Sequence, residues 1–252
     1  QIETILININ IDIYIMIYIF SIEGNIGSGK STLVKMLKNK LKIIKNTSVI
    51  YLPEPVEVWE SIKDQDGKNA IEKYYENPEK YAFSFQMMAY ISRIHQLKET
   101  MKNNNNVIII CERSVFTDKE IFAKMLHDDK KIGDIEYNIY CKWFYEFVKD
   151  IPVGGLIYVQ TNPEICEKRV IKRNRKGEVI PLSYLQNCHK YHENWLGKEN
   201  LPVLTLDGNN DFIDALPPKW LKTIEIFIDS LSPRIINVPD DDLKNLIESV
   251  YY

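Results

Sequence analysis

The chain has 252 residues, 45% of them hydrophobic and 27% charged, which is ordinary for a globular protein and enough for one large α/β domain. Its 32 basic and 35 acidic residues give a formal net charge of −3, which argues against a broad basic surface for nucleic acid. The four cysteines form no CxxC pair, so we predict reduced thiols in a cytoplasmic protein. We also predict that the protein has no nucleic-acid or membrane partner.

The N-terminus carries an unusual alternation. Isoleucine occupies every odd position from Ile5 to Ile19, a strand-like pattern about three times as long as a usual strand. Three polar residues inside the stretch make it too polar for a membrane span, and no basic segment supports a signal peptide. Our hypothesis is that the natural chain begins at Met16 and that residues 1–15 are an extension.

Beyond Met16, predicted strands alternate with predicted helices. The strands cover residues 17–23, 48–52, 107–111, 155–160 and 202–206. The helices cover roughly residues 30–41, 67–76, 78–103, 117–127 and 134–150, and three more begin at Pro163, after Pro181 and near Asp211. Such alternation predicts an α/β three-layer sandwich, with a five-stranded parallel sheet flanked by helices. We predict one domain over residues 16–230 and a peripheral tail over 231–252.

The stretch GNIGSGKS at 24–31 follows the first strand and opens the first helix. It matches G-x-x-x-x-G-K-[ST], the P-loop, in the context that this motif requires. Its glycines let backbone N–H groups wrap phosphates, Lys30 can reach the terminal phosphates, and Ser31 can hold Mg²⁺. The fold is therefore predicted to be P-loop NTPase-like. The predicted nucleotide-binding residues here are Gly24, Asn25, Ile26, Gly27, Ser28, Gly29, Lys30, Ser31 and Thr32.

The basic stretch KRVIKRNRK at 168–176 indicates which class of reaction the P-loop serves. Arg169 and Arg173 are four residues apart and share one side of a helix, with Arg175 just beyond. One interpretation is a solvated basic helix end. In a P-loop protein we favour the other, an arginine-rich lid that closes over a transferring phosphoryl group.

Charged residues end two of the predicted strands. Glu54 follows the second strand between two prolines, and Glu112 and Arg113 end the third. Sites in parallel α/β sheets form at the carboxyl ends of strands, where a carboxylate could accept a proton from an acceptor hydroxyl. On position alone, an acid stabilised by a helix N-terminus is an equally good interpretation of Glu54.

The long predicted helix places Gln86, Ala89 and Arg93 on one face, with Phe85 close by. A carboxamide, a small residue and a guanidinium among aromatic rings suit the recognition of a flat, hydrogen-bonding base. On spacing alone, an ordinary amphipathic helix with a snorkelling arginine is the more frequent case.

Seven segments carry a resemblance in their order and spacing. They are GNIGSGKST, EPVEVW, YYENPEKYAFSFQ, ERSVFTDKEIFA, RVIKRNR, IPLSYLQNCHKYHENWL and LPVLTLDGNNDF, within residues 17–215. Together they resemble deoxynucleoside kinases of the deoxycytidine/deoxyguanosine kinase type. The resemblance implies transfer of the γ-phosphate of ATP, or of UTP, to the 5′-hydroxyl of a deoxynucleoside in nucleotide salvage, with Mg²⁺.

The resemblance also implies roles for single residues. Glu54 would be the general base, Arg113 would orient it, and Glu112 would hold Mg²⁺ with Ser31. Lys30, Arg169 and Arg173 would complete the catalytic set. Further implied contacts are Trp59, Phe85, Gln86, Ala89 and Phe122 at the base, Tyr75 and Glu178 at the sugar, and Arg175, Asn210, Asp211 and Phe212 at the donor. A homodimer through the regions 78–103 and 134–150 is implied too, although the aromatic segment 134–148 suits core packing equally well.

Arg93 and Asp118 are expected to form a charge-assisted pair across the acceptor pocket. Thymidine kinases of the family place hydrophobic or small residues at these two positions. The pair offers Asp118 as the acceptor for an exocyclic amino group and occupies the space of a 5-methyl group. Because a buried pair rejects a base that lacks the matching donor, the sequence predicts deoxycytidine, deoxyadenosine or deoxyguanosine as the substrate, with thymidine poor.

Three other classes compete with this interpretation. A nucleoside monophosphate kinase such as thymidylate kinase must bind an acceptor phosphate, which Glu54 would repel. A motor or regulatory NTPase would normally end an apolar strand in a Walker-B-type Asp, whereas this strand reads IIICERS. A nucleotide-binding module without catalysis is disfavoured by Lys30, Glu54 and Arg113.

Overall fold

The computed structural model describes residues 17–175, 178–211 and 216–232. The predicted extension 1–15, Phe212 and all but the first two residues of the predicted tail 231–252 lie outside these ranges.

A six-stranded sheet forms the centre of the molecule. Its strands are β1 Ile17–Glu23, β2 Ile43–Ile44, β3 Thr47–Leu52, β4 Val107–Glu112, β5 Val153–Gln160 and β6 Val203–Asp207. Their order is β2-β3-β4-β1-β5-β6. The five predicted strands pair in parallel, which confirms the predicted sheet. The sixth, β2, was not predicted: it has two residues and pairs antiparallel with β3, across a turn in which Lys45 and Asn46 have positive φ.

Helices connect the strands on both sides of the sheet. They are α1 Lys30–Lys40, α2 Val56–Ser61, α3 Ala70–Glu76, α4 Pro78–Lys102, α5 (three consecutive segments, Val115–Thr117, Asp118–Ala123 and Lys124–Asp128), α6 Asp134–Val148, α7 Pro163–Arg173, α8 Leu182–Leu196 and α9 Pro218–Leu231. The predicted helix start near Asp211 is wrong. The helix begins at Pro218 after a second proline, because a residue that precedes proline is disfavoured in helical geometry.

Local chemistry fixes where the helices beside the site begin. Asn69 caps α3 in a reciprocal capping box with Glu72. Just after the end of α3, the Asn77 side chain accepts a hydrogen bond from the backbone N–H of Lys80, and Pro78 occupies the first turn of α4. These signals fix the start of the 25-residue helix α4, which packs on one face of the sheet.

The sheet is buried on both faces. Phe20 and Ile22 pack with α1 and α9 on one side, and Ile17 and Ile19 pack with α4 and α6 on the other. All six residues of β4 are buried, as expected for the central strand of a three-layer sandwich. Strands β1, β3 and β4 therefore deliver their carboxyl ends to one edge.

Within the described ranges, no helix is both long and apolar enough to cross a lipid bilayer. All four cysteines are unpaired, and three of them are buried.

Candidate active site

A cavity of about 410 Å³ opens at the carboxyl ends of β1, β3 and β4. It brings together most of the residues that the sequence singles out. The predicted residues that line it are Ile26, Gly27, Gly29, Lys30, Ser31, Thr32, Glu54, Trp59, Tyr75, Phe85, Gln86, Ala89, Glu112, Arg113, Asp118, Phe122, Arg169, Arg173, Arg175, Glu178 and Asp211. Gly24, Asn25, Ser28 and Arg93 are buried but are not among the lining residues. The lining also includes Ile71, Tyr74, Lys172 and Tyr184, which we did not predict.

The P-loop turns tightly between β1 and α1. Gly27 has φ +79°, and a Cβ added there would lie 2.5 Å from the carbonyl oxygen of Cys166, so only glycine fits this position. Lys30 Nζ donates to the carbonyl of Asn25 at 2.6 Å. Burial and the neighbouring Arg113 lower the pKa of Lys30 to about 7. An anionic ligand in the cavity would therefore favour its protonated form.

Ser31 and Glu112 meet at the mouth of the P-loop. Ser31 Oγ donates to Glu112 Oε1 at 2.6 Å, which places two hard oxygen ligands side by side. Mg²⁺ is usually held by one or two protein oxygens together with substrate phosphates. The described residues contain no cluster of three or more His, Cys, Asp or Glu side chains that could hold a metal ion. The pair fits a metal that is bound jointly with a nucleotide.

Glu54 lies between two guanidinium groups. Its Oε1 is 3.3 Å from Nη2 of Arg93 and 3.3 Å from Nε of Arg113. Burial opposes ionisation of Glu54, but Arg113, Arg93 and Lys30 outweigh it and lower the pKa of this carboxyl. Glu54 is therefore a carboxylate at neutral pH, held in position by two cations.

Arg113 adopts a backbone conformation that is uncommon for a bulky residue, with φ +64°. Its backbone N–H donates to the carbonyl of Ile22 at 3.0 Å, and its Nη1 donates to the carbonyl of Gly24 at 2.8 Å. The guanidinium carbon lies 5.0 Å above the ring of Phe122. This turn directs Arg113 back across the P-loop to Glu54.

The predicted pair between Arg93 and Asp118 is present. Arg93 Nε donates to Asp118 Oδ2 at 2.9 Å, and Arg93 Nη1 donates to the carbonyl of Glu112 at 2.7 Å. Arg93 is only 2% exposed, so the snorkelling interpretation is wrong. Burial alone would lower the pKa of Arg93, but Asp118 and Glu54 raise it.

The segment that carries Asp118 departs from a regular α-helix. Residues Asp118–Ala123 form a π-helical turn inside α5. Asp118 and Phe122 both belong to this turn, and both line the cavity. π-turns inside helices are frequent at functional sites. The sequence predicted a helix here but contained no signal for the change of pitch.

Aromatic rings form one wall of the cavity. The rings of Tyr74 and Phe85 are stacked with centroids 4.7 Å apart, and Trp59 meets Phe85 edge-on at 5.6 Å. Beside them, Oε1 of Gln86 is buried without a hydrogen-bond partner. A buried acceptor without a partner is costly, which points to a ligand that supplies the donor.

Tyr75 and Glu178 lie at the rim nearest the lid. The Glu178 side chain is 3% exposed, with its Oε2 2.6 Å from Nη2 of Arg173. Arg175 Nη1 lies 3.8 Å from Glu178 Oε1. Burial, with Glu178 nearby, raises the pKa of the Tyr75 hydroxyl. Tyr75 therefore keeps its proton and can donate a hydrogen bond.

Arg169 ties α7 to the P-loop and to the loop after β6. Its Nη1 donates to the carbonyl of Ser28 at 3.3 Å and to that of Gly208 at 2.9 Å. Its Nη2 lies 3.0 Å from Asp211 Oδ1. Arg169 is thus oriented by backbone and carboxylate together, whereas Arg173 contacts Glu178.

Sequence reasoning missed Glu23, the last residue of β1. It is completely buried and accepts hydrogen bonds from Ser21 and from the turn at Ser114. The available signal was an acid at the end of a buried strand immediately before the P-loop.

The cavity as a whole joins a phosphate-binding loop to a pocket with a hydrogen-bonding aromatic wall. Between them lie a carboxylate held by two guanidiniums and a pair of oxygen ligands. This arrangement can bind a nucleotide phosphate chain at one end and a flat polar ring at the other. A carboxylate that can accept a proton lies near the point where the two meet.

Comparison with known proteins supports this interpretation of the cavity. A family model described as deoxynucleoside kinase matches residues 20–219. The chain is 41% identical over 204 residues to a probable deoxycytidine kinase of Fowlpox virus, covering 77% of this chain and 80% of the relative. It is 36% identical over 225 residues to deoxycytidine kinase of Homo sapiens, covering 77% and 85%. It is 31% identical over 221 residues to the mitochondrial deoxyguanosine kinase of Xenopus laevis, covering 76% and 82%.

Proposed function

The chain belongs to the deoxynucleoside kinase family, whose members phosphorylate deoxynucleosides in nucleotide salvage, and from that premise we propose how the cavity performs the transfer. The nucleotide donor is ATP, or UTP, with Mg²⁺. Ser31 and Glu112 would hold the metal, which supplies charge neutralisation on the phosphate chain when bound. Backbone N–H groups of the P-loop and the Lys30 ammonium bind the β- and γ-phosphates.

Glu54 takes the proton from the 5′-hydroxyl of the acceptor. Three features support this role: Glu54 lines the cavity beside the P-loop, it is ionised at neutral pH, and Arg113 and Arg93 fix its orientation. Arg113 also faces the reacting oxygens. Because phosphoryl transfer depends on positioning and charge more than on covalent chemistry, an oriented base and an adjacent guanidinium suffice on the acceptor side.

The lid arginines act on the transferring phosphoryl group. Arg173 lines the cavity and is held by Glu178, while Arg169 connects the lid to the donor-binding loop at Asp211. Guanidiniums placed here neutralise oxygen charge that is spread over the transition state. Tyr75 and Glu178 contact the 3′-hydroxyl of the sugar, for which a hydroxyl donor and a buried carboxylate are complementary.

The base is read by Asp118 and Gln86 between aromatic rings. Arg93 holds Asp118 as an acceptor, and Gln86 contributes an unpartnered acceptor oxygen. Both features favour a base with an exocyclic amino group. We therefore propose deoxycytidine, deoxyadenosine or deoxyguanosine as the acceptor, with thymidine disfavoured. Neither the family match nor the relatives named above favour the nucleoside monophosphate kinase alternative.

A homodimer is part of the proposal. Four apolar side chains lie one helical turn apart along the outer face of α6, and all are exposed: Ile135, Ile139, Trp143 and Phe147. An apolar stripe of this kind suits a helix-to-helix interface between two copies. We further propose a single kinase domain over residues 16–230 that works in the cytoplasm, where unpaired cysteines are ordinary.

Steady-state kinetics on the four natural deoxynucleosides, with the wild-type protein and the double variant Arg93→Met with Asp118→Ala, test the proposed acceptor preference. We expect the ratio of kcat/KM for thymidine to that for deoxycytidine to rise by about 10-fold or more in the double variant. Because Arg93 also contacts Glu54 and the carbonyl of Glu112, kcat falls for every acceptor, so the ratio is the readout. Thymidine as the best substrate of the wild-type protein would contradict the proposal.

A further inference from the structure

We infer that Glu23 is a positioning residue that fixes Arg113 and Asp118 in their working places by tying the turn between β4 and α5 to the start of the P-loop. The inference rests on the proposed function and adds a residue to which neither the sequence motifs nor the resemblance gives a role.

The Glu23 carboxylate is completely buried, and both of its oxygens accept hydrogen bonds. Its Oε1 accepts hydrogen bonds from Ser21 Oγ at 2.7 Å and from the backbone N–H of Ser114 at 2.9 Å. Its Oε2 accepts a hydrogen bond from the Thr117 hydroxyl. Ser21 and Thr117 are also completely buried, and Ser114 is 1% exposed, so water does not replace these contacts.

The contacts made by Glu23 belong to a series of three around Arg113. The Ile22 carbonyl accepts from the Arg113 backbone N–H, the Glu23 carboxylate accepts from the next backbone N–H, and the Gly24 carbonyl accepts from the Arg113 guanidinium. Three consecutive residues of the strand-to-P-loop segment therefore hold Arg113 and the peptide bond that follows it. A non-glycine residue in this left-handed conformation is strained, and it persists only where its surroundings impose it.

The same carboxylate also holds the helix that carries Asp118. Ser114 caps this helix by accepting from the Thr117 N–H at 3.3 Å, and the Thr117 hydroxyl is bonded to Glu23. Asp118 is the next residue. Glu23 thus controls both the turn that aims Arg113 at Glu54 and the helix start that aims Asp118 at the base.

The chemistry of the cluster requires an acceptor with two oxygens. Two hydroxyls and one backbone N–H all donate to Glu23, and a carboxylate offers only acceptors. Glutamine keeps the shape but turns one NH₂ toward the cluster and removes the charge. Charge-assisted hydrogen bonds are roughly twice as strong as neutral ones, so Glu23→Gln should loosen the turn without creating a void.

The test measures kcat, the KM for ATP and the ratio of kcat/KM for deoxycytidine to that for thymidine, in full-length wild-type protein and in Glu23→Gln and Thr117→Val. The control is Glu193→Gln. Glu193 likewise accepts hydrogen bonds from strand β5, through Tyr158 and Gln160, but does not touch the turn. A smaller folded fraction lowers the apparent kcat equally for all acceptors and leaves the ratio unchanged, so the ratio separates positioning from stability.

We expect Glu23→Gln to lower kcat by about 10-fold or more and the acceptor ratio severalfold, with the KM for ATP within about twofold. Thr117→Val should change both in the same direction by less, and it decides the matter if Glu23→Gln does not fold. Glu193→Gln should leave both unchanged. An acceptor ratio equal to that of the wild type in folded Glu23→Gln, or in Thr117→Val alone if the first does not fold, would overturn the inference while the proposed function stands. A wild-type protein that phosphorylates no deoxynucleoside would overturn both.

Discussion

Glu54 shows how single residues set the chemistry of this site. Two guanidiniums and an ammonium lower the pKa of its carboxyl below the ordinary value of about 4.5. A base with a lowered pKa stays ionised as the pH falls, until the pH drops below that value. The free enzyme should therefore hold Glu54 ready for proton transfer throughout the neutral range.

The lowered pKa of Glu54 predicts how kcat/KM depends on pH, because kcat/KM reports the ionisation of groups in the free enzyme. Between about pH 6 and pH 8 the profile should show no acid limb that belongs to Glu54. Glu54→Gln should lower kcat by about 100-fold or more, whereas Glu57→Gln, at an exposed acid on α2, should leave it unchanged. An acid limb with an apparent pKa near neutrality that is absent from Glu54→Gln would contradict the assignment.

The unpartnered oxygen of Gln86 predicts that replacing this side chain weakens deoxynucleoside binding without destabilising the fold. Its buried Oε1 has no hydrogen-bond partner in the free protein, so replacing the side chain by leucine removes an unsatisfied polar atom. We expect Gln86→Leu to keep or raise the melting temperature while raising the KM for the deoxynucleoside by about 10-fold or more. Gln96→Leu, farther along α4, is the matched control and should leave the KM unchanged. A lower melting temperature with an unchanged KM would show that Gln86 has only a packing role.

At the scale of elements, α7 places two arginines at the cavity, and these arginines have different partners. Arg169 is fixed to the P-loop and to Asp211, while Arg173 is held only by Glu178 among the contacts described. This division predicts separate effects on binding and on chemistry for the two arginines.

Arg173→Gln should lower kcat by about 100-fold, with the KM for ATP within a fewfold of the wild type. Arg169→Gln should raise the KM for ATP as well, because it frees the loop after β6, which we propose binds the donor. Lys168→Gln, an exposed position on the same helix, controls for the loss of a positive charge. Equal effects of all three changes would indicate a general electrostatic attraction in place of a lid.

Elements also show where sequence patterns stop being informative. The parallel strands were predictable because each is a short apolar run between turn signals. The π-turn at Asp118–Ala123 and the left-handed Arg113 were not. The Arg113 conformation depends on contacts with Ile22 and Gly24, which are distant in the sequence, and such contacts leave no periodicity in the local sequence. The change of helical pitch is likewise invisible in the apolar pattern, which predicted one continuous helix. Glu54, Glu112 and Arg113 were found by their charge at strand ends. Glu23 also ends a strand, but its role depends on Ser114 and Thr117, which are distant in the sequence.

For the whole molecule, the exposed stripe on α6 predicts self-association. Trp143 is 44% exposed and lies in the middle of the stripe. We expect Trp143→Glu to convert a dimer into a monomer, as measured by light scattering after gel filtration, because a carboxylate in an apolar interface lacks a partner. Ile226→Glu, at an exposed apolar residue of α9, should leave the dimer intact. A wild-type protein that is monomeric at all concentrations tested would contradict the dimer.

We propose that one cavity joins a triphosphate-binding loop to a pocket that selects bases with an amino group. A competition experiment is the sharpest test: equal amounts of the four natural deoxynucleosides are mixed with limiting ATP and Mg²⁺, and the monophosphate products are separated and counted. The product ratios give the ratios of kcat/KM in a single reaction. We predict that the monophosphates of deoxycytidine, deoxyadenosine or deoxyguanosine dominate and that thymidine monophosphate is minor. Thymidine monophosphate as the main product, or ADP formed without any monophosphate, would contradict the account.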